Sequence, residues 1–198
     1  MEISVRPLSD GEWDAALALL HRAFVDEPFT VDMYGRDIPG RWAGSWALYS
    51  SMGRASYPLA MAAYAGEVLV GALVGSKPGH CHLCEVLARE PRPEDPLDAI
   101  DWQFHQNIAE VHRPLAAHAW IEKVATEHAL RGHGIGRLLL DAAADALLGD
   151  APAELVLECA PDRTSFYTGL QFDQVATFVD PAGPDAMLMS RHISQRTG

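Results

Sequence analysis

The chain has 198 residues, of which 48% are hydrophobic and 21% are charged, and its formal net charge is −12. This composition predicts a single domain spanning residues 1–198 with a substantial core, and the acidic charge argues against nucleic acid as a partner. No apolar run approaches the length of a membrane span, and the first ten residues lack a secretion-signal pattern. The three cysteines show no disulfide framework, which is typical of a reducing compartment. We therefore expect a cytoplasmic location.

The N-terminal part of the chain predicts one strand followed by two helices. Residues 3–6 alternate as a strand does, and Ser9 with Glu12 forms a capping-box pattern at the start of a helix over residues 13–24. Residues 32–40 are predicted to be loop, and a second helix is expected over residues 41–54. Trp42 and Trp46 share a face of that helix, where aromatic side chains belong either to the core or to the wall of a ligand pocket.

The middle of the chain predicts a hairpin and then a long, weakly patterned segment. Two strands, residues 58–65 and 67–75, are joined by a tight turn at Ala65-Gly66. Residues 76–118 are the least predictable part, but Asp95-Pro96 is typical of a helix start. The helical stripe that follows consists of Leu97, Ile100, Phe104, Ile108 and Val111.

The C-terminal part predicts a strand, a glycine-rich turn, a helix and further strands. A central strand is expected over residues 118–126, with a helix after the glycines whose apolar stripe is Ile135, Leu138, Leu139, Ala142 and Ala146. Strands are predicted over residues 153–159, 172–178 and 186–192, and a short helix opens at residues 162–167. The elements together predict a mixed α/β (α+β) domain.

The turn between the central strand and its helix reads Arg131-Gly132-His133-Gly134-Ile135-Gly136-Arg137. Glycines at a strand-to-helix junction leave the first N–H groups of the helix uncovered, and such a terminus binds anions, most naturally a phosphate or diphosphate. The spacing matches neither a P-loop nor the dinucleotide fingerprint G-x-G-x-x-G. It does match [QR]-x-x-G-x-G.

This loop resembles the coenzyme A pyrophosphate loop of the GNAT N-acetyltransferase superfamily. Residues 118–126 resemble the H-W-Y-L-x-x-L-A-V strand of that family, and residues 166–172 resemble its F-Y-x-x-L-G-F segment. His112-Arg113-Pro114 further resembles the branch that includes puromycin N-acetyltransferase-like proteins. Gln171 departs from the family pattern, because it replaces the glycine that precedes Phe172. The resemblance implies a GNAT fold with a mixed central sheet of six to seven strands flanked by helices.

The resemblance also implies a reaction and a co-substrate. A member of this family transfers the acetyl group of acetyl-CoA to a primary amine by direct attack in a ternary complex. The thioester carbonyl needs an oxyanion donor, which the resemblance places at a backbone N–H near Val124 or Ala125. The residues that the resemblance assigns to acetyl-CoA are Val124, Ala125, Thr126, Arg131, Gly132, His133, Gly134, Ile135, Gly136 and Arg137.

Two catalytic residues follow from the chemistry together with the resemblance. An alkyl amine has a pKa near ~10, so a base must remove its proton at neutral pH. Glu122, on the same strand face as His118, is the first candidate for this base, through a water; the alternatives for Glu122 are pairing with a lysine or anchoring the amine. His118 and His112 are further candidates for the base, and His118 is also expected to contact the substrate. Tyr167 occupies the position of the acid that protonates the leaving thiolate.

Other readings of the sequence stay open at this stage. A non-catalytic acyl-CoA-binding sensor would keep the glycine loop without needing Glu122 or Tyr167, and the acceptor of an enzyme could be a protein or peptide amine. The acidic charge, with Trp42 and Trp46 as an acceptor wall, favours a small cationic metabolite or antibiotic. Either a monomer or a homodimer is compatible with the sequence. Residues 79–85 look like half a zinc site but lack a second ligand pair, so no metal is predicted.

Overall fold

A computed structural model describes residues 2–78, 94, 96–115, 117–148, 153–181 and 185–193. The strands in these ranges are β1 (Ile3–Pro7), β2 (Leu59–Ala65), β3 (Val68–Ser76), β4 (His118–Thr126), β5 (Ala153–Cys159), β6 (Asp173–Phe178) and β7 (Ala186–Ile193). The α-helices are α1 (Trp13–Phe24), α2 (Pro28–Tyr34), α3 (Ile38–Ser51), α4 (Pro96–His112), α5 (Ile135–Asp145) and α6 (Thr164–Thr168).

The seven strands form one mixed sheet in the order β1-β2-β3-β4-β5-β7-β6. The expected sheet of six to seven strands flanked by helices is therefore confirmed. Every predicted strand is present within two residues of its expected ends, because each combines an apolar face with flanking turn residues. Gly66 turns the β2–β3 hairpin with a φ of +62°.

The segment predicted as loop over residues 32–40 is largely helical, so that prediction is wrong. Pro28 occupies the first turn of α2, where its missing N–H costs nothing, and Gly35 ends the helix with a φ of +85°. The next helix, α3, begins at Ile38 because the Asp37 carboxylate accepts a hydrogen bond from Gly40 N–H at 2.9 Å. It ends at Ser51, three residues before the predicted end.

The chain divides into two compact units, Met1–Ser76 with Ile121–Leu148 and Lys77–Trp120 with Gly149–Gly198. In the first unit β1, β2 and β3 pair antiparallel, and α1 packs on β3 and on α3. Trp13, Ala16, Leu17 and Leu20 form the buried face of α1, and Phe24 packs partly buried against the same core. The single domain expected over residues 1–198 stays a prediction.

The helix after the glycine loop is rotated relative to the predicted stripe. Leu138 is 41% exposed, so its place in the core stripe was wrong. The buried face consists of Ile135, Leu139, Leu140, Ala143 and Ala144. This face lies directly on β3, since a Cβ atom added to Gly71 would lie 3.0 Å from Ile135 Cγ2 and 3.1 Å from Leu139 Cδ1. The absence of a side chain at residue 71 therefore permits close helix–sheet packing.

In the second unit β7 pairs antiparallel with both β5 and β6, and α4 packs against β6. The core there joins Ile108 of α4 to Trp120, Phe178 and Ala186, with Phe104 and Val111 packed against it. The predicted helical stripe is thus confirmed at Phe104, Ile108 and Val111. Gln171 precedes β6 with a φ of +66°, in the left-handed region that glycine favours.

Candidate active site

The glycine-rich loop follows β4 and leads directly into α5. One turn of 3-10 helix, His128–Leu130, separates the strand from the glycines. Gly132 and Gly134 have φ values of +82° and +78°, which glycine adopts without the steric cost of a Cβ atom. Gly134 is the N-cap of α5, and Leu138 N–H donates to Gly134 O at 3.1 Å. The N–H groups of residues 135–137 lie before this first hydrogen bond of the helix, so they have no acceptor within the helix.

The space beside these amides is open. A Cβ atom added to Gly132 or Gly134 would meet no described atom within 4 Å, and both residues are exposed. Amides at a helix N-terminus carry the positive end of the helix dipole, so they attract a phosphate group. The loop therefore offers a site for a phosphate or diphosphate group.

The polar side chains of the loop are exposed at its rim. Arg131, His133 and Arg137 all face solvent to a large extent. The Nδ1 atom of His133 lies 3.2 Å from the carbonyl oxygens of both Leu130 and Arg131, so this ring braces the backbone of the loop. The two arginines place permanent positive charge beside the amides, which suits a phosphate.

The residues of β4 assigned to acetyl-CoA lie in the same unit as the loop. Val124 and Thr126 are half-buried, whereas Ala125 is 9% exposed. The carbonyl oxygen of Ala125 lies 3.3 Å from the Cβ position of Gly71, so β3 approaches β4 closely at this point. Immediately beyond β4, Glu127 N–H donates to Val70 O at 2.9 Å and ties the start of the loop segment to β3.

Glu122 belongs to a buried cluster on β4. Its Oε1 atom accepts hydrogen bonds from Tyr57 Oη at 3.1 Å and from Lys123 Nζ at 2.9 Å. The side chains of Glu122 and Lys123 are only 17% and 21% exposed. Burial lowers the pKa of Lys123, but the adjacent Glu122 carboxylate and the Tyr49 and Tyr57 hydroxyls outweigh it, so the pKa lies above its ordinary value. Lys123 therefore keeps its positive charge at neutral pH.

Aromatic rings connect this cluster to a cavity on the same unit. The ammonium of Lys123 lies 5.7 Å from the ring centroid of Tyr49, and the Tyr49 ring lies 5.4 Å from the ring of His21. Burial raises the pKa of Tyr49 to about 12, so its hydroxyl stays neutral. His21 in turn contacts the rings of Trp42 and Trp46 at 4.8 and 5.3 Å.

Trp42 and Trp46 face a cavity of about 480 Å³. Each of the two indoles is 39% exposed, so neither is a core residue. His21 is 2% exposed and lies 2.8 Å from the Ser45 hydroxyl, and burial lowers its pKa, which keeps the ring neutral at pH 7. The lining is formed by Ala18, His21, Arg22, Pro39, Trp42, Ala43 and Trp46.

Tyr167 lies in the second unit, on the short helix α6. Its ring packs edge-on against Phe172 at 5.8 Å, and its carbonyl oxygen accepts from Leu170 and Phe172 N–H groups. Burial raises the pKa of the phenol, and the neighbouring Cys159 and Glu158 raise it further. The hydroxyl therefore holds its proton at neutral pH, as a general acid must.

His112 and His118 are joined to a carboxylate that the sequence did not single out. His112 Nδ1 lies 2.9 Å from His118 Nε2, and His112 Nε2 lies 2.5 Å from Glu158 Oε1. The second oxygen of Glu158 accepts a hydrogen bond from Trp120 Nε1 at 2.7 Å. The side chains of His112 and Glu158 are 1% and 12% exposed, so the network is buried.

Three members of these clusters, Tyr57, Lys123 and Glu158, were missed by the sequence reasoning. Glu158 interrupts the apolar strand β5, and an ionisable residue inside an apolar run was the signal that could have found it. Lys123 carried a weaker signal, because it follows a candidate acid in sequence. Nothing in the sequence marked Tyr57, whose partner lies 65 positions away along the chain.

The described residues contain no group of three or more side chains that could hold a metal ion. Residues 79–85, which look like half a zinc site in the sequence, lie outside the described residues. The lack of a second ligand pair is therefore known from the sequence alone. Within the part of the chain that the structure describes, no helix has the length and apolar character needed to cross a membrane.

The sequence model of the acetyltransferase (GNAT) family matches residues 26–168, which is well over half of the 198 residues. The chain belongs to the acetyltransferase (GNAT) family. It is therefore an N-acetyltransferase with acetyl-CoA as its co-substrate, in agreement with the exposed amides of the glycine loop. No curated protein sequence matches the chain significantly.

Solved structures share this fold at low sequence identity. A Corynebacterium glutamicum protein described as histone acetyltransferase HPA2 and related acetyltransferase has a TM-score of 0.69 at 19% identity, with 100% of both chains covered. Polyamine N-acetyltransferase of Drosophila melanogaster, which forms N-acetylagmatine, has a TM-score of 0.71 at 15% identity over 96% of this chain and 100% of that chain. Arabidopsis thaliana Naa50, bound to the bisubstrate analogue CoA-Ac-MVNAL, has a TM-score of 0.55 at 16% identity over 96% and 99%.

Proposed function

We propose that this acetyltransferase acts on a small, cationic primary amine by direct attack on acetyl-CoA in a ternary complex. The cavity beside Trp42 and Trp46 carries the proposal. Two half-exposed indoles over a neutral histidine offer π-faces to a cation, and the Arg22 guanidinium of the lining is paired with the Glu127 carboxylate. The net charge of −12 favours the approach of such a substrate.

Acetyl-CoA is proposed to bind along residues 124–126 and 131–137. The amides of the first turn of α5 would hold the diphosphate, with Arg131 and Arg137 adding charge and His133 bracing the loop. A backbone N–H at Val124 or Ala125 is proposed to donate to the developing oxyanion. The openness of the space at Gly132 and Gly134 supports this placement.

Tyr167 is proposed to protonate the leaving thiolate, which is supported by a phenol that burial keeps protonated. Glu122 was expected to act as the base. Pairing with the Lys123 ammonium stabilises the charged carboxylate and makes it a weaker proton acceptor, so we assign Glu122 as the charge partner of Lys123. A role of Glu122 as the base stays a prediction, which Glu122→Gln tests. If Glu122 is the base, the variant should acetylate the amine more slowly at neutral pH and at a nearly unchanged rate at high pH.

A peptide N-terminus is the second candidate acceptor. Its support is the fold shared with Naa50, which binds an analogue carrying a peptide. A narrower proposal is that the chain belongs to the puromycin N-acetyltransferase-like branch, which His112-Arg113-Pro114 resembles. The cytoplasmic location and the oligomeric state stay predictions.

The acceptor is tested with a panel that contains agmatine, putrescine, tryptamine, puromycin and short peptides, with products identified by mass spectrometry. We expect acetylation of small amines at rates well above those of peptides. Trp42→Leu and Trp46→Leu should raise KM for the amine roughly 3- to 30-fold, the range of a cation–π contact. Leu48→Ala is the matched control, since Leu48 is 40% exposed on the same helix but does not line the cavity. A preference for peptides, or tryptophan variants that behave as the control, would refute the small-amine proposal.

The co-substrate site is tested by calorimetry with acetyl-CoA. Gly134→Val places a side chain beside the amides at a φ of +78°, so binding should be lost. Gly11→Val is the control, because its Cβ would also meet no described atom within 4 Å but it lies far along the chain from the loop. Unchanged affinity in Gly134→Val would move the diphosphate elsewhere.

A further inference from the structure

Among the described residues, one side chain with a permanent charge lines the cavity in which the acceptor is proposed to bind. That side chain is Arg22 of α1, which shares a helix face with Ala18, four positions earlier, and borders the cavity there. His21 also lines the cavity, but burial lowers its pKa and keeps its ring neutral at pH 7. The other lining residues are apolar or aromatic. The charge that a ligand meets in the cavity therefore depends on how Arg22 is neutralised.

The group that neutralises Arg22 is the Glu127 carboxylate. Arg22 Nη2 donates to Glu127 Oε1, and the two side chains are 48% and 37% exposed. The partners are 105 positions apart along the chain, and both belong to the first unit. An exposed ion pair of this kind contributes little to the free energy of unfolding. Its effect is therefore expected on the charge of the cavity rather than on the stability of the fold.

The backbone of Glu127 is held independently of its side chain. Its N–H donates to Val70 O at 2.9 Å, and its carbonyl oxygen accepts from Leu130 N–H at 3.0 Å. Glu127 is the N-cap of the 3-10 turn that leads to the glycine loop, but its side chain makes no capping hydrogen bond. Replacement of the carboxylate by an amide therefore changes the charge and leaves these backbone contacts in place.

A cation in the cavity meets a different charge when either partner of the pair is removed. With both partners present their charges cancel, and the faces of Trp42 and Trp46 attract the ammonium. Without Glu127 the Arg22 charge repels the cation, and without Arg22 the carboxylate attracts it. The effective dielectric constant at such a partly exposed site lies between that of bulk water and that near a protein surface. Each change is then worth roughly 3- to 30-fold in affinity.

We propose that Glu127 is a specificity-determining residue of the acceptor site, because its pairing with Arg22 allows the cavity to take a cationic amine. This inference rests on the proposed acetyl transfer to a small cationic amine. Glu127 acts on the acceptor through the charge of Arg22, so it is a positioning residue and has no part in the chemical step. The pair selects the charge of the acceptor, whereas Trp42 and Trp46 supply the contact surface.

Three variants test the proposal in opposite directions. Glu127→Gln should weaken the binding of tryptamine roughly 3- to 30-fold, and Arg22→Gln should strengthen it by a similar factor, because each leaves one charge unopposed. The double variant should bind tryptamine within about 3-fold of the native affinity, since no charge is left unopposed. Calorimetry measures each Kd. Glu67→Gln is the control, because it removes the same charge from an exposed residue of the first unit that does not line the cavity.

Tryptophol separates the effect of charge from the effect of shape, because a neutral hydroxyl replaces the ammonium of tryptamine. Its Kd should be the same in the native protein and in every variant, and the changes for tryptamine should shrink in about 0.5 M salt. The Kd for acetyl-CoA should not rise in Glu127→Gln, because the backbone contacts remain and loss of a negative charge does not weaken the binding of an anion. Weaker binding of tryptophol or acetyl-CoA in this variant would show a structural role and overturn the proposal.

The outcomes distinguish this proposal from the proposed function. Changes of the same sign in Glu127→Gln and Arg22→Gln, or equal changes for tryptamine and tryptophol, would reject the charge role of Glu127 while acetylation of amines by the native enzyme stands. Absence of transfer by the native enzyme to every amine would instead refute the proposed function, and the role of Glu127 with it.

Discussion

The phenol of Tyr167 packs against Phe172, and burial raises its pKa above the ordinary value of 10. A pKa shifted in this direction means that the proton is present throughout the neutral and mildly alkaline range. Loss of rate through ionisation of Tyr167 is therefore expected only above pH 10. The environment of the residue therefore keeps the proposed acid protonated at the pH at which the thiolate leaves.

Tyr167→Phe should lower kcat roughly 100-fold, because the proton donor is removed while the packing of the ring is kept. The Kd for acetyl-CoA should stay unchanged. The rate at which CoA thiol is released measures kcat, and calorimetry measures the Kd. Tyr64→Phe, which removes a hydroxyl that donates to Glu12, is the control and should keep its rate. An unchanged kcat in Tyr167→Phe would remove the residue from the acid role.

Lys123 is held by Glu122 in a buried pair, so the two residues should be coupled in stability. Lys123→Met leaves the Glu122 carboxylate without its ammonium and should cost about 3 kcal/mol in the free energy of unfolding. Glu122→Gln combined with Lys123→Met should recover most of that loss. Arg22→Gln is the control, because the Arg22–Glu127 pair is 48% and 37% exposed and should contribute under ~1 kcal/mol. Urea unfolding at pH 8 measures the native protein, Lys123→Met, Glu122→Gln, the double change and the Arg22→Gln control. Simple additivity of the two single changes would contradict the coupling.

The Glu122–Lys123 pair also makes the free energy of unfolding depend on pH. The pKa of Lys123 in the folded protein lies above its unfolded value near 10.5. The contribution of Lys123 to the free energy of unfolding is therefore fully present below about pH 10.5 and declines as the pH rises further. The stability difference between the native protein and Lys123→Met should therefore shrink between pH 10 and pH 12.

At the scale of elements, the turn between α6 and β6 contains a residue in a conformation that suits glycine. Gln171 has a φ of +66° at the position where the family pattern has glycine. Gln171→Gly should stabilise the protein by about 0.5–1 kcal/mol, since relief of the left-handed strain exceeds the added freedom of the unfolded chain. Gln174→Gly, within β6, should instead destabilise it. Urea midpoints distinguish the two, and a destabilised Gln171→Gly would contradict the strain argument.

The elements themselves were largely predictable where a single local signal decides them. The strand alternation of β1, the β2–β3 turn and the capping pattern before α1 each depend on residues only a few positions apart. The helix α2 was missed because a proline such as Pro28 is compatible both with the end of one helix and with the first turn of the next. The rotation of α5 was missed because its sequence is apolar on several faces, and packing on β1, β2 and β3, with the close approach at Gly71, decides which face is buried.

The candidate site was predictable to a different degree in its two halves. The glycine loop is local, so its position between β4 and α5 followed from the sequence pattern. The partners of Glu122 and of His112 were not predictable, because Tyr57 and Glu158 lie 65 and 46 positions away along the chain. Side-chain chemistry that depends on such distant pairs has no periodic signature in sequence.

At the scale of the whole molecule, the charge of −12 should act on the rate of substrate capture. Putrescine and butylamine have the same carbon chain but differ by one positive charge at neutral pH. The kcat/KM for putrescine should fall more steeply with salt between 0.01 and 0.5 M, because screening weakens the attraction of the doubly charged amine more. Equal slopes for the two amines would show that the acidic surface serves solubility alone.

The packing of α5 on β3 has a consequence for donor choice. Ile135, the first residue of α5, would meet a Cβ atom at residue 71 at 3.0 Å, so a bulkier residue on this strand has to push the start of the helix outward. The amides proposed to grip the diphosphate would move with it, and the thioester would be presented from a different depth. Position 71 therefore offers a lever on donor binding from a residue that is not itself assigned to donor or acceptor.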